Sequence, residues 1–312
     1  MDSFSQKQNL LLGILITILA YFCFSISSGL VKGLNGNIPA IEIVFFQNLV
    51  GLICIIPYSL KEKTFSFKDN YWSFHLLRDI CGTLSYFAYF FAIKAINLVD
   101  ATALAYTAPF FTPLISKILL GGKLEKDVWW AIILGFLGIA FILKPGEHIF
   151  HFGSIIGISA GIFTSIALVS IRFLNKKHES LSRTLFYYFF IGTILTGPFL
   201  FFSWNMPTLY ELFFLIGIGL AIVIGQFLLT IAYRHGTAAF LSPLCYFMII
   251  FTGLISWIFF HHAPGWLTLI GTALIICGGT LSFLFRKKPK TFLKTFERLP
   301  EKKWWDIWKN HK

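Results

Sequence analysis

Charge is scarce in this chain. Asp, Glu, Lys and Arg make up 13% of its 312 residues, against 56% hydrophobic residues, and mean hydropathy is +0.75. So little polar material excludes a soluble globular domain. Acidic residues are scarcest, 14 against 26 basic ones, which leaves a net charge of +12. The chain also lacks a phosphate-cradling glycine loop, a Ser/His/Asp arrangement, a metal-ligand cluster at depth and a cofactor-attachment motif. These gaps speak against an enzyme in any strong form, and neither cofactor nor metal is expected. Without an ATP-binding module there is no self-contained ATP-driven pump. The five cysteines (Cys23, Cys54, Cys81, Cys245, Cys277) all fall in apolar stretches, so no disulfide framework is expected.

Apolar runs are what the chain has in abundance. A helix crossing the hydrocarbon needs about 20 mostly apolar residues. Ten such runs occur, at roughly 10–31, 38–60, 71–93, 98–120, 128–143, 152–171, 184–203, 210–233, 237–260 and 265–285. The connections are brief and leave no room for a soluble domain. Trp72, Trp129, Trp130, Trp204 and Trp266 sit near the run ends, where an amphipathic indole favours the interface. The first run follows too short a polar stretch, with no small-residue cleavage site, and reads as a retained anchor.

One segment occurs twice. Phe111-Thr112-Pro113-Leu114-Ile115-Ser116 returns as Phe251-Thr252-Gly253-Leu254-Ile255-Ser256. At this 140-residue offset, residues 92–120 and 232–260 agree at nine of 29 positions, among them Tyr106 and its counterpart Tyr246. The chain thus divides into a polar N-tail at 1–9, a five-helix repeat at 10–145, a second at 146–285 and a basic tail at 286–312. Five helices per copy is an odd number, so the second copy enters from the opposite face as an inverted repeat. The hinge falls near Lys144-Pro145-Gly146.

The positive charge sorts by side. With the N-terminus cytoplasmic, 23 of the 26 Lys and Arg residues lie inside, and only Lys32, Lys94 and Lys144 lie outside. Without the tail the division is still 13 to 3, which predicts ten helices with both termini in the cytoplasm. That distribution argues against nucleic acid as a partner. The tail interleaves its lysines with Phe292, Phe296, Trp304, Trp305 and Trp308, as expected of a segment lying on anionic lipid headgroups. Its alternative is a disordered stretch that only fixes topology.

The stretches Ala92-Ile93-Lys94, Leu98-Val99-Asp100-Ala101-Thr102-Ala103-Leu104, Pro109 and Pro113 resemble the fourth-helix region of the drug/metabolite transporter superfamily. In the second copy Ala239, Ser242-Pro243-Leu244, Tyr246, Pro264 and Gly271-Thr272-Ala273-Leu274-Ile275 match the same pattern. So do Ile41 to Phe46 and Ile171-Arg172, and the likeness spans nearly the whole chain as two EamA-type halves. The resemblance implies an all-α polytopic membrane protein of ten helices, alternating access, and a central cavity lined mainly by helices 1, 3, 4, 6, 8 and 9. It implies a location in the bacterial cytoplasmic (inner) membrane. Within the superfamily the chain is similar to metabolite carriers such as S-adenosylmethionine uptake transporters. It departs where family members usually carry glutamate after glycine, at Gly122 and His262, and where Gln47 replaces a common arginine.

Charges inside a bilayer cost roughly 2.5–3.5 kcal/mol each, so each asks for a reason. Glu42 reads as a coupling acid or as a structural one bonded to polar neighbours. Lys94 and Asp100 flank the short turn between helices 3 and 4, close enough to pair and staple it, with outer gating as the other role. Arg78-Asp79 and Arg234 read as topology anchors. Gln226 in mid-helix 8 needs a partner at that depth and is a candidate substrate contact. Aromatic residues make up 18% of the chain, and most face lipid. Tyr89, Tyr106 and Tyr246 stand out because their hydroxyls need partners; with Gln226 they are the substrate-binding candidates. Rings of this kind suit planar or cationic solutes. Gly153, Gly157 and Gly161 recur every four residues, as in close helix packing. His148, His151, His261 and His262 share the outer side without forming a convincing metal site.

The reading that follows is a secondary transporter of a small organic metabolite, with S-adenosylmethionine or a related zwitterion bearing an aromatic group as the favoured substrate. Export of amino acids or drug-like cations is the alternative within the superfamily. A membrane-embedded lipid-modifying enzyme and a non-transporting scaffold or sensor are the rivals from other classes. A homodimer stays open.

Overall fold

The computed structural model describes residues 10–34, 36–61, 71–120, 126–142, 152–177, 179–235 and 242–284. The hinge at Lys144-Pro145-Gly146, Gly122, His148, His151 and the tail at 286–312 lie outside the described residues. Among the described residues the regular structure is helical, with no strand. The helices are α1 (Leu10–Gly33), α2 (Ala40–Lys61), α3 (Trp72–Ala95), α4 (Leu98–Ala105), α5 (Ala108–Leu120) and α6 (Lys126–Ile142). They continue with α7 (Phe152–Lys176), α8 (Leu181–Thr196), α9 (Leu200–Ser203), α10 (Leu209–His235), α11 (Phe247–Phe260) and α12 (Trp266–Leu284).

Seven stretches are long and apolar enough to cross a membrane: Leu11–Gly33, Ala40–Lys61, Trp72–Ala95, Leu98–Leu119, Phe152–Ile171, Leu181–Ser203 and Leu209–Ala232. Three shorter apolar helices accompany them, Ile133–Ile142, Leu244–Phe260 and Trp266–Gly278. The outer surface carries large bare apolar side chains, Phe201 at 92% and Phe202 at 90% exposure among them. Lipid, not water, is the natural neighbour of such rings.

Two of the expected runs are interrupted. The run at 98–120 stops at Ala105, turns through Tyr106 (φ −84°, ψ 17°) and resumes at Ala108 as α5. Pro109 accounts for the stop: it has no N–H to bond the Ala105 carbonyl four residues back, and its ring crowds that carbonyl. Pro113, by contrast, sits within α5. In the second copy a 3-10 turn over Ser242–Tyr246, with Pro243 inside it, leads into α11. Tyr106 thus lies two residues before α5, and Tyr246 directly before α11. The run at 184–203 also changes register, through a 3-10 turn at Gly197–Phe199 that contains Pro198.

The packing is reciprocal. α1 lies along α10 and α3 along α7; α5 meets α7 as α11 meets α1. α2 pairs with α8, α4 with α11, and α6 with α12. Close approach is carried by missing side chains. A Cβ on Gly138 would stand 2.6 Å from the Gly271 carbonyl oxygen, and one on Gly271 the same distance from that of Gly138. The stripe on α7 works the same way: Gly153 faces Ala95, Gly157 faces Leu104 and Ala92, and Gly161 faces Thr107. The stripe seats α7 against the end of α3 and the broken α4–α5 segment.

Candidate functional site

A cavity of about 230 Å³ lies where α1, α3, the α4–α5 junction, α7, α8, α10 and the start of α11 meet. These are the helices the resemblance implies, plus α8 from the seventh run. Its wall is aromatic: Tyr21 and Phe24 from α1, Tyr86, Tyr89 and Phe90 from α3, Tyr106 from the junction and Tyr188 from α8. Tyr21 meets Tyr106 edge-on at 6.2 Å, and Tyr86 meets Phe90 at 5.6 Å. Polar atoms are few and mostly hydroxyls.

Tyr89 is held on both sides. Its hydroxyl is 2.9 Å from Ser28 Oγ on α1 and 2.8 Å from Thr102 Oγ1 on α4. Ser28 also reaches the Phe24 carbonyl at 3.0 Å, and Thr102 the Leu98 carbonyl at 2.7 Å. Three hydroxyl protons serve four contacts, so one contact is always unfilled. Tyr106 also lines the cavity, and its hydroxyl makes no hydrogen bond to a described residue. Gln226 lines it too, its Nε2 donating to Tyr86 Oη at a long 3.5 Å.

Tyr246 is placed elsewhere. It is buried, and its hydroxyl has no partner among the described residues; its neighbours Cys245 and Met248 reach the cavity instead. The 3-10 turn, tighter than an α-helix, alters which side chains face inward. The repeat made Tyr246 the counterpart of Tyr106 in sequence without making it a counterpart in the wall.

Glu42, Lys94 and Asp100 gather at one end of the bundle, apart from the cavity lining. Glu42 is fully buried; its Oε2 accepts the Asn205 backbone N–H at 3.1 Å, and Oε1 has no partner among the described residues. Lys94 does not pair with Asp100. It donates to the Ile38 carbonyl, while Asp100 Oδ1 accepts from Thr268 Oγ1 of α12 at 2.8 Å. The expected staple across the turn is thus replaced by ties to α2's approach and to α12. Lys32 adds another, donating to the carbonyls of Ile93 and Ile96 at 2.8 Å each, and so satisfies the C-terminal end of α3. Glu211 accepts from Thr208 N and Oγ1 at 2.8 Å and from Asn37 Nδ2 at 3.2 Å.

Arg78 was legible only as an anchor, and the structure gives it more. It is 4% exposed and lines the cavity. Its Nη1 donates to Asp79 Oδ1 at 2.8 Å and to the Thr184 carbonyl at 3.1 Å, and its guanidinium lies 4.2 Å from the centre of the Tyr188 ring. Arg78 and Tyr89 are eleven residues apart on α3, about 16 Å along the axis. The cavity therefore runs from mid-bundle toward the end where α3 and α8 begin, away from Lys32 and Lys94. The signal in the sequence was a charged pair almost two turns inside a run.

The family called EamA-like transporter family matches residues 11–144 and again 151–284, two ranges offset by the same 140 residues as the internal repeat. A pseudopaline exporter of Pseudomonas aeruginosa is 32% identical over 266 residues, covering 85% of this chain and 93% of its own. An S-adenosylmethionine uptake transporter of Rickettsia bellii is 24% identical, covering 82% of this chain and 88% of its own. One solved structure superposes with a TM-score of 0.62 at 18% identity, over 87% of this chain and 96% of the other.

Proposed function

The chain belongs to the EamA-like transporter family and is an integral membrane protein, and from that premise we propose that it is a secondary transporter moving a small organic metabolite across the cytoplasmic membrane by alternating access. The observation that carries the reading is the cavity. It sits at the broken α4–α5 segment, where helix interruption frees carbonyls at depth, as at the substrate sites of other carriers built from inverted repeats.

Seven long and three shorter apolar helices together suit ten spans, and the reciprocal packing of α1 on α10 and α3 on α7 suits an inverted pair of five. Charge counts favour both termini inside. On that topology the ties at Lys32, Glu42, Lys94 and Asp100 close the outer end, and the cavity extends toward the cytoplasm in an inward-facing state. Opening outward then requires those ties to part, a gating role for Lys94 and Asp100 that also takes in Glu42.

Rings that stack and attract cations favour a substrate with a planar or cationic part. S-adenosylmethionine, or a related zwitterion bearing an aromatic group, remains the best single candidate; amino acids and drug-like cations are the alternatives. The two relatives differ in both substrate and direction, so neither passes to this chain by likeness. The basic tail would lie on anionic headgroups. Uptake or counterflow in proteoliposomes, over a panel of S-adenosylmethionine, amino acids, nucleosides, polyamines and aromatic cations, tests the proposal. Saturable flux of one class supports it. Folded protein that moves none of them sinks it.

A further inference from the structure

We propose that Arg78 is the anchor for a carboxylate on the transported substrate, so that the cavity selects zwitterionic organic acids over plain cations. This rests on the transporter reading above and assigns that site its chemistry.

Arg78 is the one charged side chain among the described residues lining the cavity. Of the five guanidinium N–H donors, the two on Nη1 are committed to Asp79 and the Thr184 carbonyl. Nε and Nη2 make no hydrogen bond to a described residue, and neither is sealed away as a buried orphan. Those two atoms form the side edge of the guanidinium fork, the edge that accepts both oxygens of a carboxylate at once. The side chain is also held in place. Tyr188 covers its face at 4.2 Å, and Tyr188 can close down because Gly82 has no Cβ; one there would stand 2.9 Å from the ring. A guanidinium in the cavity wall, fixed by a ring, a carboxylate and a carbonyl and with two nitrogens left unbonded to described residues, is built to receive an anion.

Charge balance narrows the class. Arg78 and Asp79 already neutralise each other, and both are almost wholly buried. A simple anion would leave the site with an excess negative charge in low dielectric, and a simple cation would leave an excess positive one beside a guanidinium. A zwitterion keeps the site neutral. Its carboxylate meets Arg78, and its cationic or planar part meets Tyr86, Tyr89 and Tyr106 farther along. A phosphate dianion fits less well, because no second cation faces the cavity from the described residues.

The test uses the full chain in detergent micelles and matched acid–amide pairs as probes: L-tryptophan with L-tryptophanamide, and S-adenosylhomocysteine with its carboxamide. Thermal stabilisation is titrated for each. At least one acid is expected to bind tighter than its amide by roughly 10- to 100-fold, the range for one hydrogen-bonded charge pair. R78Q abolishes that preference, and R78K, a point charge without a fork, retains part of it; gel filtration checks folding. If no acid outperforms its amide on the wild type, or if R78Q keeps the preference, the proposal is wrong. Counterflow of the best-binding acid separates the two claims. Acid-selective stabilisation without flux leaves the anchor and removes the transporter, whereas flux that treats acid and amide alike leaves the transporter and removes the anchor.

Discussion

Replacing Tyr89 by Phe removes the hydroxyl that ties α1 to α4 across the cavity wall. The loss can be worked from the contacts. Before the change, three protons fill three of four contacts among Ser28, Tyr89, Thr102 and two backbone carbonyls. Afterwards two protons remain, and both have a carbonyl on their own helix, Phe24 for Ser28 and Leu98 for Thr102. No partner is orphaned, so the variant loses one net hydrogen bond, about 0.5–1.5 kcal/mol, and none of the larger penalty for a stranded polar group. Couplings inside membrane proteins average about 0.6 kcal/mol, which favours the low end. Thermal unfolding in detergent should fall by at most roughly 2–4 °C. A double-mutant cycle with Thr102→Val should be additive to within about 0.5 kcal/mol, because each change removes one proton and one filled contact from the same chain. A drop beyond about 3 kcal/mol, far above one bond, or a coupling above about 1 kcal/mol in the cycle would refute this account of the hydroxyl chain.

Other substitutions separate the wall from its surroundings. Tyr246→Phe deletes a buried hydroxyl that has no partner among the described residues, so melting should hold or rise, opposite in sign to Tyr89→Phe. Gly161→Ala places a Cβ 2.5 Å from Thr107 Oγ1 and 3.2 Å from the carbonyls of Leu104 and Ala105. It should cost roughly 1–3 kcal/mol of stability and, by shifting the α4–α5 break, lower flux in proteoliposomes. Lys94→Met removes the donor to the Ile38 carbonyl at the closed end. If that end is the outer gate, outward-facing labelling should increase while binding at the cavity persists.

How much of this was legible beforehand follows from the range of each interaction. Apolar runs and the repeat are local or strictly periodic signals, and they located the helices and the equivalence of Tyr106 with Tyr246. The break before Pro109 follows from the four-residue reach of a helical hydrogen bond, which places the lost bond at Ala105. Which face of each helix meets the cavity was not legible, because helices apolar all round carry no amphipathic stripe. That hid Tyr188 and Tyr21. In the sequence Arg78 reads as an anchor because its partners, Thr184 and Tyr188, lie more than a hundred residues away. Proximity along the chain favours a Lys94–Asp100 pair, but the Ile38 carbonyl before α2 and Thr268 compete for the same groups.

The central claim is that a solute passes through this cavity, reached from each side in turn. It is tested most directly by labelling a cysteine placed at Tyr106, in a background without the five native cysteines, with a membrane-impermeant thiol reagent applied from either face. The account predicts reaction from both faces, faster from the cytoplasm, with transported substrate slowing both. Labelling from one face alone while flux continues would contradict it.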